Sequence, residues 1–90
     1  MSVNINIPPT LSHLTGGHNL VEVNGNTVGE CLNQLVDQYP KVKEQLFSGD
    51  GKLNNVVEVY VNLESSYPEE LAKPVKDGDE LHPIIIVLGG

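Results

Sequence analysis

Val3-Asn4-Ile5-Asn6-Ile7 alternates apolar and polar side chains with β-branched residues on one face, the period-two signature of a half-buried strand. Pro8-Pro9 closes it, because neither residue offers an N–H to a ladder. Gly16-Gly17 marks a turn, and His18 to Val23, carried by Leu20, Val21 and Val23, predicts a second strand hairpinned to the first through a long loop. After the turn Asn24-Gly25-Asn26 the spacing changes. Val28, Cys31, Leu32, Leu35, Val36 and Tyr39 recur three and four residues apart, which predicts a helix with one apolar stripe facing a core. Thr27 is its expected N-cap, and Glu30 stands where its carboxylate would reach back to the Thr27 N–H in a capping box. Gly29 costs about 1 kcal/mol against Ala inside a helix, so a close approach to a strand is expected there. Pro40 ends this helix and opens a second turn through Leu46.

Ser48-Gly49-Asp50-Gly51 reads as a loop, and Val56 to Val61 resumes strand chemistry. Glu58, Tyr60 and Asn62 fall on one face of that strand, with Val57, Val59 and Val61 on the other. Residues 63–76 carry Pro68 and Pro74 and predict short irregular pieces. Asp77-Gly78-Asp79-Glu80 predicts a turn whose Gly adopts a positive φ. The last apolar run, Leu81-His82-Pro83-Ile84-Ile85-Ile86-Val87-Leu88, does not alternate, so a central strand buried on both faces is expected. Pro83 is then placed at the strand's start or at a bulge. A hairpin, a helix, a third strand and a late strand returning beside the first make an α+β fold: a mixed sheet packed on one main helix, the ubiquitin-like β-grasp. Residues 1–88 read as a single domain of this kind, and Gly89-Gly90 as a flexible C-terminal tail.

Ninety residues with 39% apolar and 19% charged side chains suit one compact core. No run approaches the ~20 apolar residues needed to cross a bilayer. Met1-Ser2-Val3-Asn4-Ile5-Asn6 shows no signal segment, so the cytoplasm is the expected location. A formal charge of −7 with five Lys and Arg in total argues against nucleic acid, whose phosphates need cations to neutralise them. A basic protein partner fits that charge better.

Most candidate chemistry dissolves on inspection. Cys31 sits on the apolar stripe with no basic residue in the neighbouring turns, which predicts a packed thiol rather than a nucleophile. His13, His18 and His82 match no compact ligand spacing and are expected at the surface or in loops, with no metal bound. Asp50-Gly51-Lys52-Leu53-Asn54 puts Lys52 where a calcium loop needs an oxygen ligand. Glu69-Glu70 and Asp77, Asp79, Glu80 read as solvated turns. Tyr60 and Leu63 are the side chains expected to form an exposed partner-docking face.

Several short pieces resemble the ThiS/MoaD family of sulfur-carrier proteins. They are Ile7-Pro8 to Leu11, Thr15-Gly16-Gly17, Thr27-Val28-Gly29 with Leu35 and Tyr39-Pro40, Gly51-Lys52-Leu53, Val59-Tyr60-Val61-Asn62, Asp77-Gly78-Asp79 and Gly89-Gly90, spread over nearly the whole chain. Within the family the chain is most similar to the CysO type, which supplies sulfur for cysteine biosynthesis. The resemblance implies that a MoeB- or ThiF-like adenylyltransferase activates the Gly90 carboxylate and that sulfur transfer leaves a thiocarboxylate there. It further implies a downstream acceptor such as a pyridoxal-phosphate-dependent cysteine synthase, with molybdopterin or thiamine thiazole synthesis as the other family destinations. The ATP and pyridoxal phosphate belong to those partners, and no cofactor is expected on this chain, which is expected to be a free monomer and a co-substrate rather than an enzyme.

The chemistry of the tail agrees independently. A carboxylate resists substitution because its charge is delocalised and oxide does not leave, so exchanging oxygen for sulfur requires activation. The chain has no G-x-x-x-x-G-K-[ST] loop to hold the nucleotide itself. Leu88, Gly89 and Gly90 are the residues expected to thread a partner's active site, the glycines because they lack Cβ. Val87 to Gly90, if extended, reach on the order of 13 Å. The same tail would also serve a protein modifier joined through Gly90 to lysines, and a non-covalent β-grasp binding module would leave it incidental.

Overall fold

The computed structural model describes residues 2–86. Its elements are β1 (Ser2–Asn6), β2 (Leu20–Asn24), α1 (Val28–Gln38), a short 3-10 turn leading into α2 (Lys43–Leu46), β3 (Val57–Val61), β4 (Glu64–Ser65), a 3-10 turn at Glu70–Ala72 and β5 (Glu80–Ile85). The five strands form one sheet in the order β2-β1-β5-β3-β4. β1 and β5 run parallel, while β1–β2, β3–β5 and β3–β4 are antiparallel. This is the mixed sheet and helix of the predicted β-grasp. No described helix is long and apolar enough to cross a membrane.

One face of the sheet meets α1. Val3 and Ile5 of β1, Val21 and Val23 of β2, Val59 of β3 and Leu81 of β5 are buried against Val28, Cys31, Leu32 and Leu35 of the helix. Val42 and Leu46 close the core below Pro40. Each fully buried aliphatic side chain contributes roughly 1.5–3 kcal/mol, so the alternation in the strands and the stripe on the helix are one energetic statement. Cys31 lies wholly inside this core, and burial pushes its thiol pKa up. It is packed, as its place on the stripe predicts.

The start of α1 departs from expectation in two details. Thr27 Oγ1 accepts from Glu30 N at 3.2 Å, but Glu30 Oε1 accepts from Asn26 N at 2.9 Å rather than from Thr27. The Thr27 segment is instead drawn into a short antiparallel bridge with Pro74, so the reciprocal bond of the box falls one residue earlier. Gly29 makes its close approach to the 3-10 turn and not to a strand: a Cβ there would stand 3.0 Å from Leu71 O and 3.2 Å from Leu71 Cβ.

The last strand corrects the sequence reading most. β5 is central but buried on one face only, with Leu81 and Pro83 inward, His82 half-buried and Ile84 and Ile86 exposed. Helices pack on one side of the sheet, so a second apolar face has nothing to enter. Pro83 is neither at the strand's start nor at a bulge; it pairs with Val59 in the middle of the β3–β5 ladder. The bonds Asn62 N to Glu80 O and Ile86 N to Val56 O flank that ladder, both at 2.7 Å. Their parity makes Val59–Pro83 a pair without mutual hydrogen bonds. The N–H that Pro83 lacks would have pointed toward β1, beyond the last β1–β5 pair, Ile5 with Leu81. Proline is accommodated because the parallel ladder has already ended there.

The Asp77–Glu80 turn has Gly78 at φ +87 as expected, yet Asp79 is buried rather than solvated. Its carboxylate accepts from Lys76 N at 2.8 Å and from Asn62 Nδ2 at 3.2 Å. Asn62, itself at φ 58, also accepts from Glu80 N at 3.0 Å, tying the β3–β4 turn to the start of β5. The Lys76 amide foremost, with help from Asn62 and against the pull of burial, holds the Asp79 pKa below its ordinary value. A lowered folded-state pKa stabilises above the unfolded value of about 3.9, and that contribution is lost as pH falls through the folded value. Asp79→Asn is therefore expected to be less stable than the native chain at neutral pH, with the gap closing in acid. Urea titrations of both proteins from neutral pH to about pH 2 check this, and a gap that stays constant would contradict it.

Candidate functional site

Gly90, expected to carry the sulfur, and Leu88 and Gly89, expected to thread a partner's active site, lie outside the described residues. The structure shows the platform from which they depart. β5 runs through the centre of the sheet, and the chain beyond it is held at Ile86, whose N–H donates to Val56 O. β3 pairs with β5 and places Tyr60 directly opposite His82, and Glu58 opposite Ile84.

Tyr60 and Leu63 do come together on the open face. With Asn62, His82 and Ile84 they line a shallow, mostly apolar depression of about 330 Å³. Leu63 occupies the tip of the tight β3–β4 turn and is 93% exposed, an unusual place for a leucine and one that no core contact explains. His82 and Ile84 were not singled out by the pattern of the chain. Counting by twos from Glu80 would have found them, because residues 80, 82 and 84 share one face of a strand. His82 sits in a strand and is half-buried, whereas His13 and His18 are exposed in the β1–β2 connection.

Among Asp, Glu, Lys and Arg the strands carry one sign of charge, while Lys73 and Lys76 line a neighbouring cleft with Asn62 and Leu63. Among the described residues the carboxylates in strands are Glu22, Glu58, Glu64 and Glu80, and no lysine lies in a strand. Three of them point to the open side and accept hydrogen bonds from neutral neighbours: Glu22 from Ser2 Oγ, Glu58 from Ser65 Oγ and Glu80 from Asn6 Nδ2. Glu80 also lies 3.9 Å from His82 Nε2. The Glu58 and Glu80 carboxylates thus flank the apolar centre, while Glu22 stands two strands away from Glu80, on β2. Such a surface attracts a basic partner at long range and rewards it with apolar burial on contact.

Elsewhere among the described residues ionisable groups line open clefts, Glu64, Lys73, Lys76 and Asp79 in one and His13, Lys41 and Glu44 in another. No set of three or more His, Cys, Asp and Glu side chains is placed to hold a metal ion among the described residues. A larger cleft of about 550 Å³ lies between α1 and the 47–51 loop, lined by Asn33, Val36, Asp37, Lys43 and Phe47 among others. It combines one lysine, one carboxylate (Asp37), the Ser48 hydroxyl and one amide with apolar side chains.

The fold is shared with known proteins. The ThiS family model matches residues 5–90. Sulfur carrier protein CysO of Mycobacterium tuberculosis is 36% identical over 93 aligned residues, covering all of both chains. The CysO-containing crystal structure of the Amycolatopsis orientalis BexX/CysO complex superimposes with a TM-score of 0.89 at 36% identity, over 98% of this chain and 99% of that one. SAMP1 of Haloferax volcanii, a small archaeal modifier protein, superimposes with a TM-score of 0.87 at 29% identity over 100% of both chains. Match of the family model through the Gly-Gly end, end-to-end similarity to CysO and a common β-grasp lead to one conclusion: the chain belongs to the ThiS family of sulfur-carrier proteins.

Proposed function

We propose that this protein carries sulfur as a thiocarboxylate on Gly90, for delivery to a biosynthetic acceptor, with cysteine synthesis as the destination. The observation that carries the reading is full-length similarity to CysO together with a family match that runs through Gly89-Gly90. The loading chemistry balances without any catalytic group on this chain. A Gly90 carboxylate oxygen attacks the α-phosphorus of ATP on a MoeB/ThiF-like adenylyltransferase, and pyrophosphate leaves. A sulfur nucleophile at the hydrosulfide level then attacks the acyl carbon, and AMP leaves with the former carboxylate oxygen. The product is a thiocarboxylate, whose sulfur is the nucleophile in the next reaction.

In this reading the chain's own residues recognise and present. The apolar centre of Tyr60, Leu63 and Ile84 docks on the adenylyltransferase and then on an acceptor such as a cysteine synthase, and Glu22, Glu58 and Glu80 steer the approach. ATP, and pyridoxal phosphate where the acceptor uses it, stay with those enzymes. Dependence on ATP fits a cytoplasmic protein. Likeness to SAMP1 over the whole chain supports a second reading, conjugation of Gly90 to lysines of other proteins through the same adenylate.

Intact-mass measurement on protein isolated from its native cell tests both. A subpopulation with one oxygen replaced by sulfur is expected from carriage. Higher-mass species sensitive to isopeptidase would support conjugation. A single unmodified mass, unchanged when cells are starved of cysteine, would remove both readings.

A further inference from the structure

The chain beyond Ile86 comprises residues 87–90, and four residues span at most ~14 Å even when fully extended. An enzyme that encloses the Gly90 carboxylate in a buried centre therefore brings its own surface against whatever surrounds Ile86. Leu63 lies a full ladder away from that point. The β3–β5 register runs from Val57 with Ile85 to Val61 with Leu81, which is roughly 13–16 Å of strand. A partner can reach the carboxylate without touching the hairpin tip, but not without touching the root of the tail.

The root is shaped for contact. Tyr67 is 74% exposed, Ile86 41% and Val56 37%. Tyr67 and Ile86 line a cleft of about 200 Å³ whose charged lining is Glu58 and Glu70, both acidic, and Val56 O is the acceptor that holds Ile86. The loop that carries Tyr67 is pinned on both sides. Ser66, buried, donates its N–H to Val59 O at 2.9 Å and accepts from Glu70 N at 2.7 Å. Tyr67 N itself donates to Ser65 Oγ at 3.2 Å. An aromatic ring on an already ordered backbone gives contact area at little further entropic cost, which is why Tyr is enriched among binding hot spots.

We propose that Tyr67, Val56 and Ile86 form a docking collar shared by every enzyme that handles the tail, with Tyr67 as its anchor. The occupant is the mouth of such an enzyme's tail channel, an apolar cup with a basic rim to meet Glu58 and Glu70. The collar is distinct from the Tyr60–Leu63–Ile84 depression, which adds contact as an enzyme's surface extends further across the sheet. The inference rests on the carrier reading above, because it needs an enzyme acting at Gly90.

The test uses the full-length chain and the MoeB/ThiF-like adenylyltransferase of its source organism in an ATP–pyrophosphate exchange assay. Tyr67→Ala is expected to raise KM for the carrier about tenfold or more, equivalent to ~1.4 kcal/mol of binding, with kcat little changed. Tyr67→Phe should retain most of the native KM, and Val56→Ser should share the defect. Circular dichroism and the thermal midpoint confirm that each variant is folded. The same rise in KM is expected when the loaded carrier is presented to its sulfur acceptor. If the native chain supports exchange and folded Tyr67→Ala does so with unchanged KM, the collar is overturned and the carrier reading stands. If the native chain supports no exchange at all, the carrier reading falls and the collar with it.

Discussion

A single residue appended after Gly90 is expected to lower adenylation by at least ~100-fold while leaving the unfolding midpoint unchanged. The acyl carbon would move by one residue, roughly 3.3–3.6 Å along an extended chain. A misplacement of about 1 Å in a preorganised centre already costs on the order of a hundredfold. Nothing in the core answers to the change, because the last described anchor is the Ile86 N–H on Val56 O, well before the addition. ATP–pyrophosphate exchange measures the first effect, thermal unfolding the second, and intact mass confirms that no protease has trimmed the extension. Full activity of an untrimmed extended chain would show that the Gly90 carboxylate is not the reactive group.

The largest effect on stability is expected at Leu81, two strands deep in the sheet. Leu81 is fully buried, with Ile5 of β1 on one side and Val61 of β3 on the other. Truncation to Ala removes its transfer free energy and leaves a cavity, at a cost of about 2–5 kcal/mol against a total of roughly 5–15 kcal/mol for a domain. Ile84, three residues on in the same strand, faces the other way and is 44% exposed. Ile84→Ser is expected to change stability by only ~0.5 kcal/mol and to act on partner binding instead. Urea unfolding of the two variants separates these roles. Equal losses of stability would contradict a sheet covered on one face.

The order of elements, the core stripe of α1 and the inward valines of β3 were legible because local periodicity reports burial directly. Val28, Cys31, Leu32 and Leu35 needed only their spacing to be assigned to the core, and the structure buries all of them. The same rule failed at β5. Apolar Ile84 and Ile86 imitate a strand buried on both faces, and their exposure follows from the helices packing on one side of the sheet only. His82 and Ile84 line the depression of Tyr60 and Leu63 through alternation that the apolar run concealed. Tyr67 had no sequence signal: it sits in an irregular stretch, and its place beside Ile86 follows from β3, β4 and β5 being neighbours.

Family membership and a β-grasp with Gly-Gly at its end could be read from residue order, since turn glycines, prolines and hydrophobic spacing act through the nearest few residues of backbone. Asp79 and Pro83 could not. The carboxylate of Asp79 is buried because Asn62, distant in the chain, reaches it across the β3–β4 turn. Pro83 sits inside a strand because β1 has already parted from β5 on the side where its missing N–H would point. Both depend on which backbone lies alongside, a relation set by long-range packing and invisible to any local pattern.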